Sequence, residues 1–276
     1  MRILVTGATG FIGRYVVGRL STAKHDVVVT SIEPTASFSC RYIPADLNER
    51  RDDWFELFEN PEAVIHLAWE GLPNYNELFH IERNLPSSYY FLKKLIESGC
   101  RNINVVGTCF EYGLQEGCLH ENLTPRPNTC YGLAKNTLRL FLEELRKSHD
   151  FNLKWIRLFY LYGKGQNKNS ILEQLKTALD RGDDTFNMSG GEQLRDYLPV
   201  EIIAENIVNI SLQTNVQGII NNCSGKPISI RRLVEQNIEK SGKTIKLNLG
   251  HYPYTTYEPH AFWGCTQKLQ NIIKSV

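Results

Sequence analysis

The opening stretch Met-Arg-Ile-Leu-Val-Thr-Gly-Ala-Thr-Gly-Phe-Ile-Gly-Arg leaves this chain few ways to fold. The strand-forming run Ile3, Leu4, Val5 and Thr6 passes without a break into Gly7, Gly10 and Gly13, and an apolar helical pattern follows from about Phe11. This order predicts a strand, a tight turn and a helix. In such a turn Gly7 permits the sharp exit from the strand, Gly10 lets a pyrophosphate approach the backbone, and Gly13 lets the helix pack close to the sheet. Phe11 and Ile12 begin the helix, whose unpaired N–H groups and positive dipole end then face the phosphates. A glycine triplet alone also fits an ordinary turn. Its place directly between a strand and a helix selects the dinucleotide reading.

The rest of the first half sustains the alternation. Strand-forming runs at Arg2–Thr6, Asp26–Thr30, Ala63–Leu67, Ile103–Val106 and Lys154–Leu158 are mostly separated by helical patterns. They predict an α/β fold with a Rossmann-type, doubly wound parallel sheet. Beyond Tyr160 the rhythm loosens into a Gly/Lys/Asn-rich loop from Gly163 to Ser170, a helix from Ile171 to Asp180, and turns at 189–191 and 225–227. The expected division is a dinucleotide-binding domain over residues 1–160, joined by some later segments, and a mainly substrate-binding region over 161–276. The smaller region should sit at the carboxyl ends of the strands, where open α/β sheets bind ligands.

Charge and cysteines narrow the partners. Lys and Arg total 31 against 30 Asp and Glu, a net charge of +1 that gives no electrostatic reason to expect nucleic acid. No apolar run reaches the ~20 residues of a membrane span, and the first residues read as a core strand instead of a leader, so a cytoplasmic protein is expected. The cysteines at 40, 100, 109, 118, 130, 223 and 265 lack paired metal-type spacing, so free thiols and no metal are expected.

The end of the second strand selects the dinucleotide. An Asp or Glu there would bond the ribose 2′-OH of NAD, but Thr30 and Ser31 occupy the place. Small hydroxyls leave room for a 2′-phosphate, and Arg14 could supply its counter-charge. NADP(H) is favoured on this ground, and NAD(H) stays open because Glu33 could take the ribose. Asp46 and Leu47, in a polar turn, are placed at the adenine, and His66-Leu67-Ala68 ends the third strand beside the cleft. His66 alone reads as a packed core histidine.

Three residues carry the chemistry. Tyr131 and Lys135 stand four apart at the start of an apolar helical pattern, so both side chains emerge on one face. An ammonium beside a phenol favours the phenolate, turning a group with an ordinary pKa near ~10 into a usable acid or base. Thr108, after the strand Ile103–Val106, could offer a hydroxyl to the same substrate oxygen.

With these residues in view, the chain resembles the extended short-chain dehydrogenase/reductase family of the NAD-dependent epimerase/dehydratase type. The resemblance covers nearly the whole length. It rests on Thr6-Gly7-Ala8-Thr9-Gly10-Phe11-Ile12-Gly13, Asp46-Leu47, His66-Leu67-Ala68, Asn84, Thr108 with Tyr112-Gly113, Tyr131-Gly132-Leu133-Ala134-Lys135, Arg157-Leu158-Phe159 with Tyr162-Gly163, and Arg195-Asp196. The resemblance implies that Thr108, Tyr131 and Lys135 form the catalytic set and that Lys135 also bonds the nicotinamide ribose. Arg195 would contact the diphosphate of a nucleotide sugar. Helices Leu85–Ile96 and Tyr131–Leu145, richer in apolar residues than one buried stripe requires, would pair across a two-fold axis in a homodimer.

Departures from the pattern narrow the activity. Related dehydratases carry an Asp-Glu pair after the catalytic threonine, whereas this chain has Cys109 and Phe110. Tyr160 replaces a usual Asn, and Trp69-Glu70-Gly71 follows Ala68, so Trp69, Glu70, Cys109 and Tyr160 should shape a different sugar pocket. The string Cys109-Phe110-Glu111-Tyr112-Gly113 with Phe159-Tyr160 looks like bacterial reductases of nucleotide-linked 4-keto-6-deoxyhexoses. Such enzymes make deoxysugars for surface polysaccharide such as the O-antigen of lipopolysaccharide. A C4 or C3/C5 epimerase on the same scaffold is the alternative. A non-catalytic dinucleotide-binding relative would usually lack Tyr131 or Lys135.

Overall fold

In the computed structural model, which describes residues 1–22, 25–32 and 38–274, every strand-forming run of the first half becomes a parallel strand of one sheet. The chain runs β1 (Arg2–Thr6), α1 (Gly13–Ser21), β2 (Asp26–Thr30), β3 (Arg41–Tyr42), α2 (Trp54–Leu57), β4 (Ala63–His66), α3 (Leu85–Glu97) and β5 (Asn102–Thr108). It continues through β6 (Gly117–Leu119), α4 (Cys130–Leu145), β7 (Asn152–Leu158), β8 (Tyr160–Tyr162), α5 (Ile171–Arg181), β9 (Thr185–Asn187), β10 (Leu194–Pro199) and α6 (Val200–Leu212). It closes with β11 (Gly218–Asn222), β12 (Pro227–Ser229), α7 (Ile230–Ser241), β13 (Lys246–Asn248), β14 (Phe262–Gly264) and α8 (Gln267–Ile273).

The main sheet has the order β11-β7-β5-β4-β1-β2-β3, and each neighbouring pair is parallel. Successive residues of β1 serve opposite faces, as the two-residue period of a strand requires. Ile3 and Val5 pack with Val16, Val17 and Leu20 of α1 and Ile203 and Ile207 of α6. Leu4 packs with Phe91, Leu92 and Leu95 of α3 and Leu138 and Leu142 of α4. With helices on both faces the strands read as continuous apolar runs, which is why they are visible in the sequence.

The region beyond residue 160 contributes to both layers. Strand β11 extends the sheet beside β7, and α6 and α8 pack on its first face. The remaining segments form small sheets, β12-β10-β8, β13-β9 and β14-β6. A separate apolar cluster joins Leu175 and Leu179 of α5 to Phe186, Ile230 and Val234. The order of the main sheet reverses around β1, whose neighbours are β2 and β4, and ligands of open α/β sheets bind at such switch points.

Candidate active site

At the switch point the glycine turn is as tight as its sequence requires. Gly7 takes φ +67°, and a Cβ there would stand 2.8 Å from the Ala68 backbone nitrogen, so β1 and the chain leaving β4 meet over this residue. A Cβ on Gly13 would collide with the Gly7 carbonyl oxygen. Thr6 ties the two strand ends together: its Oγ1 accepts from the backbone nitrogens of Leu67 and Ala68 and lies 2.9 Å from His66 Nδ1. His66 is fully buried, and burial depresses its pKa to about 3.

Helix α4 presents the Tyr and Lys. The Thr129 hydroxyl accepts from the Gly132 nitrogen at 3.0 Å and caps the helix, while the Tyr131 nitrogen donates to the Tyr75 carbonyl at 2.9 Å. Gly132 lets the helix approach a 3-10 turn, Cys109–Tyr112, because a Cβ there would lie 2.5 Å from the Phe110 carbonyl oxygen. That turn holds Thr108 at its start. Thr108 Oγ1 accepts from the Phe110 nitrogen at 3.2 Å, and the Thr108 nitrogen donates to Glu111 Oε1 at 2.9 Å.

Glu111 is the central anchor of this turn. Its two carboxylate oxygens also accept from Trp155 Nε1 and Arg157 Nε, both at 2.8 Å, and Glu111 and Arg157 are fully buried. The Arg157 guanidinium lies over the Tyr112 ring, 4.3 Å from its centroid.

Lys135, 2% exposed, donates from Nζ to the Val106 carbonyl at 2.8 Å and rests 3.9 Å above the centre of the Trp69 ring. Burial lowers its pKa to about 7, with the Glu111 charge working against that shift. Tyr131 departs from expectation: burial raises its pKa, and contact with the Thr108 side chain opposes the rise. The physical reason is its surroundings. The Tyr131 ring is enclosed by His80, Tyr75, Trp69 and Phe110, with ring centres 5.3 to 6.1 Å away. The ammonium of Lys135 is meanwhile engaged by a carbonyl and an indole face.

A cavity of about 460 Å³ is lined both by Gly7, Gly10, Phe11, Ile12 and Gly13 and by Thr108, Tyr131 and Lys135. Leu67, Trp69, Cys109 and Tyr160 also line it. Residues far apart in the chain are thus brought to one cleft. The glycine turn carries no side chain where a Cβ would crowd it, which fits a dinucleotide.

Other expected residues lie outside the cavity. Glu70 is paired with Arg83 at 2.7 Å and accepts from Asn48 Nδ2, and Asp46 caps its own turn by accepting from the Asn48 nitrogen at 2.9 Å. Leu47 packs against the α3–α4 core. Arg14 donates to the Thr9 and Gly10 carbonyls, and Ser31 Oγ lies 3.2 Å from Tyr42 Oη at the end of β2. Glu33 is outside the described residues.

Arg195, expected at a diphosphate, is not among the residues that line the cavity. It is 3% exposed, donates to Glu258 at 2.8 Å and to the Leu194 and His260 carbonyls, and stacks 4.8 Å over Phe262. Asp196 points elsewhere, accepting from the nitrogens of Ser224, Gly225 and Gly264.

Sequence reasoning missed part of the lining. Tyr75 and Phe110 stack with ring centres 4.5 Å apart beside Tyr131, and Gln166 and Asn167 reach the cavity from the loop after β8. Phe110 carried a signal, since it stands where the dehydratases that the chain resembles would place an acid. Tyr75 lies in a loop without periodicity and carried none.

The profile of the NAD dependent epimerase/dehydratase family matches residues 3–222. A dTDP-6-deoxy-L-talose 4-dehydrogenase (NAD(+)) from Aggregatibacter actinomycetemcomitans is 32% identical over 96% of this chain and 99% of its own length. A GDP-6-deoxy-D-talose 4-dehydrogenase from the same organism is 24% identical over 85% of this chain and 78% of its own. The solved structure of a Bacillus cereus UDP-glucuronic acid 4-epimerase, with UDP-glucuronic acid and NAD, superposes with a TM-score of 0.86 at 22% identity, covering 100% of this chain and 94% of that one. The chain belongs to the NAD-dependent epimerase/dehydratase family.

Proposed function

We propose that this chain is a nicotinamide-dependent oxidoreductase acting at C4 of a nucleoside-diphosphate 6-deoxyhexose, in the reducing direction a 4-keto-6-deoxy sugar reductase. Dehydrogenase and reductase name the two directions of one hydride exchange, so similarity to two 4-dehydrogenases of 6-deoxytalose nucleotides supports this position on the sugar. The observation that carries the reading is that Thr108, Tyr131 and Lys135 line the same cavity as the glycine turn.

The backbone of Gly7, Gly10, Phe11, Ile12 and Gly13 would hold the pyrophosphate, Leu67 and Ala68 the middle of the dinucleotide, Asp46 and Leu47 the adenine, and Lys135 the nicotinamide ribose. Bound nicotinamide supplies the hydride donor or acceptor. Tyr131 gives its phenolic proton to the oxygen at C4 in reduction and takes it back in oxidation, while the Thr108 hydroxyl orients that oxygen. Trp69, Cys109 and Tyr160, with Tyr75 and Phe110, offer an apolar and aromatic wall that suits a C6 methyl group. Similarity to an NAD(+)-dependent 4-dehydrogenase supports NAD(H), and Arg14, exposed beside the glycine turn, keeps NADP(H) as the alternative. A homodimer is supported by Leu133, Leu140 and Phe141 of α4, each at least 44% exposed. Its product would serve a surface polysaccharide.

The test is incubation with NADH or NADPH and a panel of dTDP-, CDP-, GDP- and UDP-linked 4-keto-6-deoxy sugars. One reduced coenzyme consumed per sugar is the expected result. Interconversion of sugars with the coenzyme returned unchanged would make the enzyme an epimerase, and absence of turnover across the panel would overturn the reading.

A further inference from the structure

The parallel pairing of β6 with β14 gathers three metal-binding side chains that the sequence scatters. Gly117, Cys118 and Leu119 stand opposite Phe262, Trp263 and Gly264, and the Cys265 nitrogen donates to the Leu119 carbonyl at 2.9 Å. Side chains alternate along such a ribbon. Leu119 and Phe262 turn inward into an apolar cluster with Cys109, Tyr112, Phe159 and Cys223. Cys118 and His120, two residues apart, therefore share the outer face, and Cys265 continues the partner strand beside His120. The two thiol sulfurs and an imidazole nitrogen lie within 4.8 Å of one another.

We propose that Cys118, His120 and Cys265 form a binding site for zinc(II), separate from the catalytic cleft. Two thiolates and an imidazole are the soft and borderline donors that zinc prefers, and ligand bonds of about 2.0 to 2.3 Å in a tetrahedron place donor atoms somewhat under 4 Å apart. Modest side-chain rotations close the remaining gap. Cys118 and His120 are exposed, so a water completes the tetrahedron. On binding, each thiol releases its proton to solvent and the metal–sulfur bond takes its place, with no change of oxidation state.

The ion would act as a clamp. Strand β14 carries Phe262, whose ring centre lies 6.0 Å from that of Tyr160 in the cavity wall, and Phe262 also supports Arg195. Fixing β14 to β6 therefore stiffens the wall on the substrate side of the cleft.

The experiment titrates the reduced full-length chain, freed of metal by chelation, with cobalt(II) and then zinc(II). One equivalent of cobalt should give the ligand-field and sulfur-to-metal charge-transfer absorption of a tetrahedral thiolate site, and zinc should abolish it. Cys118→Ser, Cys265→Ser and His120→Ala should each weaken zinc binding on the order of 100-fold in competition with a chromophoric chelator, while Cys40→Ser should not. Circular dichroism confirms that each variant is folded. Cobalt spectra without thiolate charge transfer in the wild type, or equal zinc affinity in the wild type and a Cys118→Ser/Cys265→Ser double variant, would overturn the proposal.

Discussion

At the glycine turn the shape of the cleft is made by backbone, whereas the wall around Thr108 and Tyr160 is backed by charged side chains buried in pairs. Gly7 and Gly13 shape their part of the cavity by lacking a Cβ, and the atoms that a Cβ there would meet come from the same short stretch and the exit of β4. The wall depends on Glu111 with Arg157, both fully buried, and on Arg195 with Glu258, whose side chains are 4% and 17% exposed. A glycine turn costs chain entropy and little else. A buried ion pair costs desolvation of both partners and is held only by good geometry, so losing one partner leaves a buried charge without compensation. The wall should therefore fail in a different manner from the floor.

The largest expected effect is on stability. Glu111→Ala removes the acceptor shared by Thr108, Trp155 and Arg157 and should destabilise the fold by about 3 to 5 kcal/mol in chemical denaturation. A loss well under about 1 kcal/mol, the scale of exposed pairs, would show that the pair does not support the wall.

Tyr131→Phe should leave folding and NADH binding nearly intact while the reduction rate falls about 10²-fold or more, as expected for a lost general acid. Turnover at the wild-type rate would remove Tyr131 from the chemistry.

For Arg195 the expected effect is on substrate affinity. If a diphosphate takes the place of the Glu258 carboxylate on this guanidinium, Arg195→Ala should weaken nucleoside-diphosphate binding by about 10- to 100-fold. Glu258→Gln should strengthen it. Calorimetric titration with dTDP in the presence of coenzyme reads both, and unchanged affinity in both variants would break the assignment.

His66 gives a smaller, pH-dependent signature on the floor side. Its folded pKa is depressed from 6.5 to about 3, so between those values the unfolded chain binds a proton that the folded chain refuses. Stability should fall as pH drops through that window. In His66→Gln the fall should be shallower, with carboxylate titration remaining, and equal slopes in the two proteins would contradict a neutral buried histidine.

The smallest effect is reserved for Glu70, which pairs with the half-exposed Arg83 outside the cavity. Glu70→Gln should change stability by no more than about 1 kcal/mol and leave kcat/KM unaltered. A large loss of kcat/KM would place it at the substrate after all.

The parallel sheet, the glycine turn and the helix bearing Tyr131 and Lys135 were legible in the amino-acid sequence because each is written in neighbouring residues. Strands buried on both faces need unbroken apolar runs, a tight turn needs glycine where a Cβ would collide, and two side chains four apart on a helix share a face whatever surrounds it. Strand β11 was less legible, since Gly218-Ile-Ile-Asn-Asn is short and ends in buried asparagines whose partners, Tyr112 and Asn206, come from other elements. Only the tertiary structure decided that Arg195 is held by Glu258, that Glu111 anchors Thr108 with one carboxylate oxygen and Arg157 with the other, and that Cys118, His120 and Cys265 lie close together. It also reversed the expected direction for Tyr131, whose pKa follows the aromatic rings around it. Such outcomes depend on which distant residues exclude water from a group, and no local spacing carries that information.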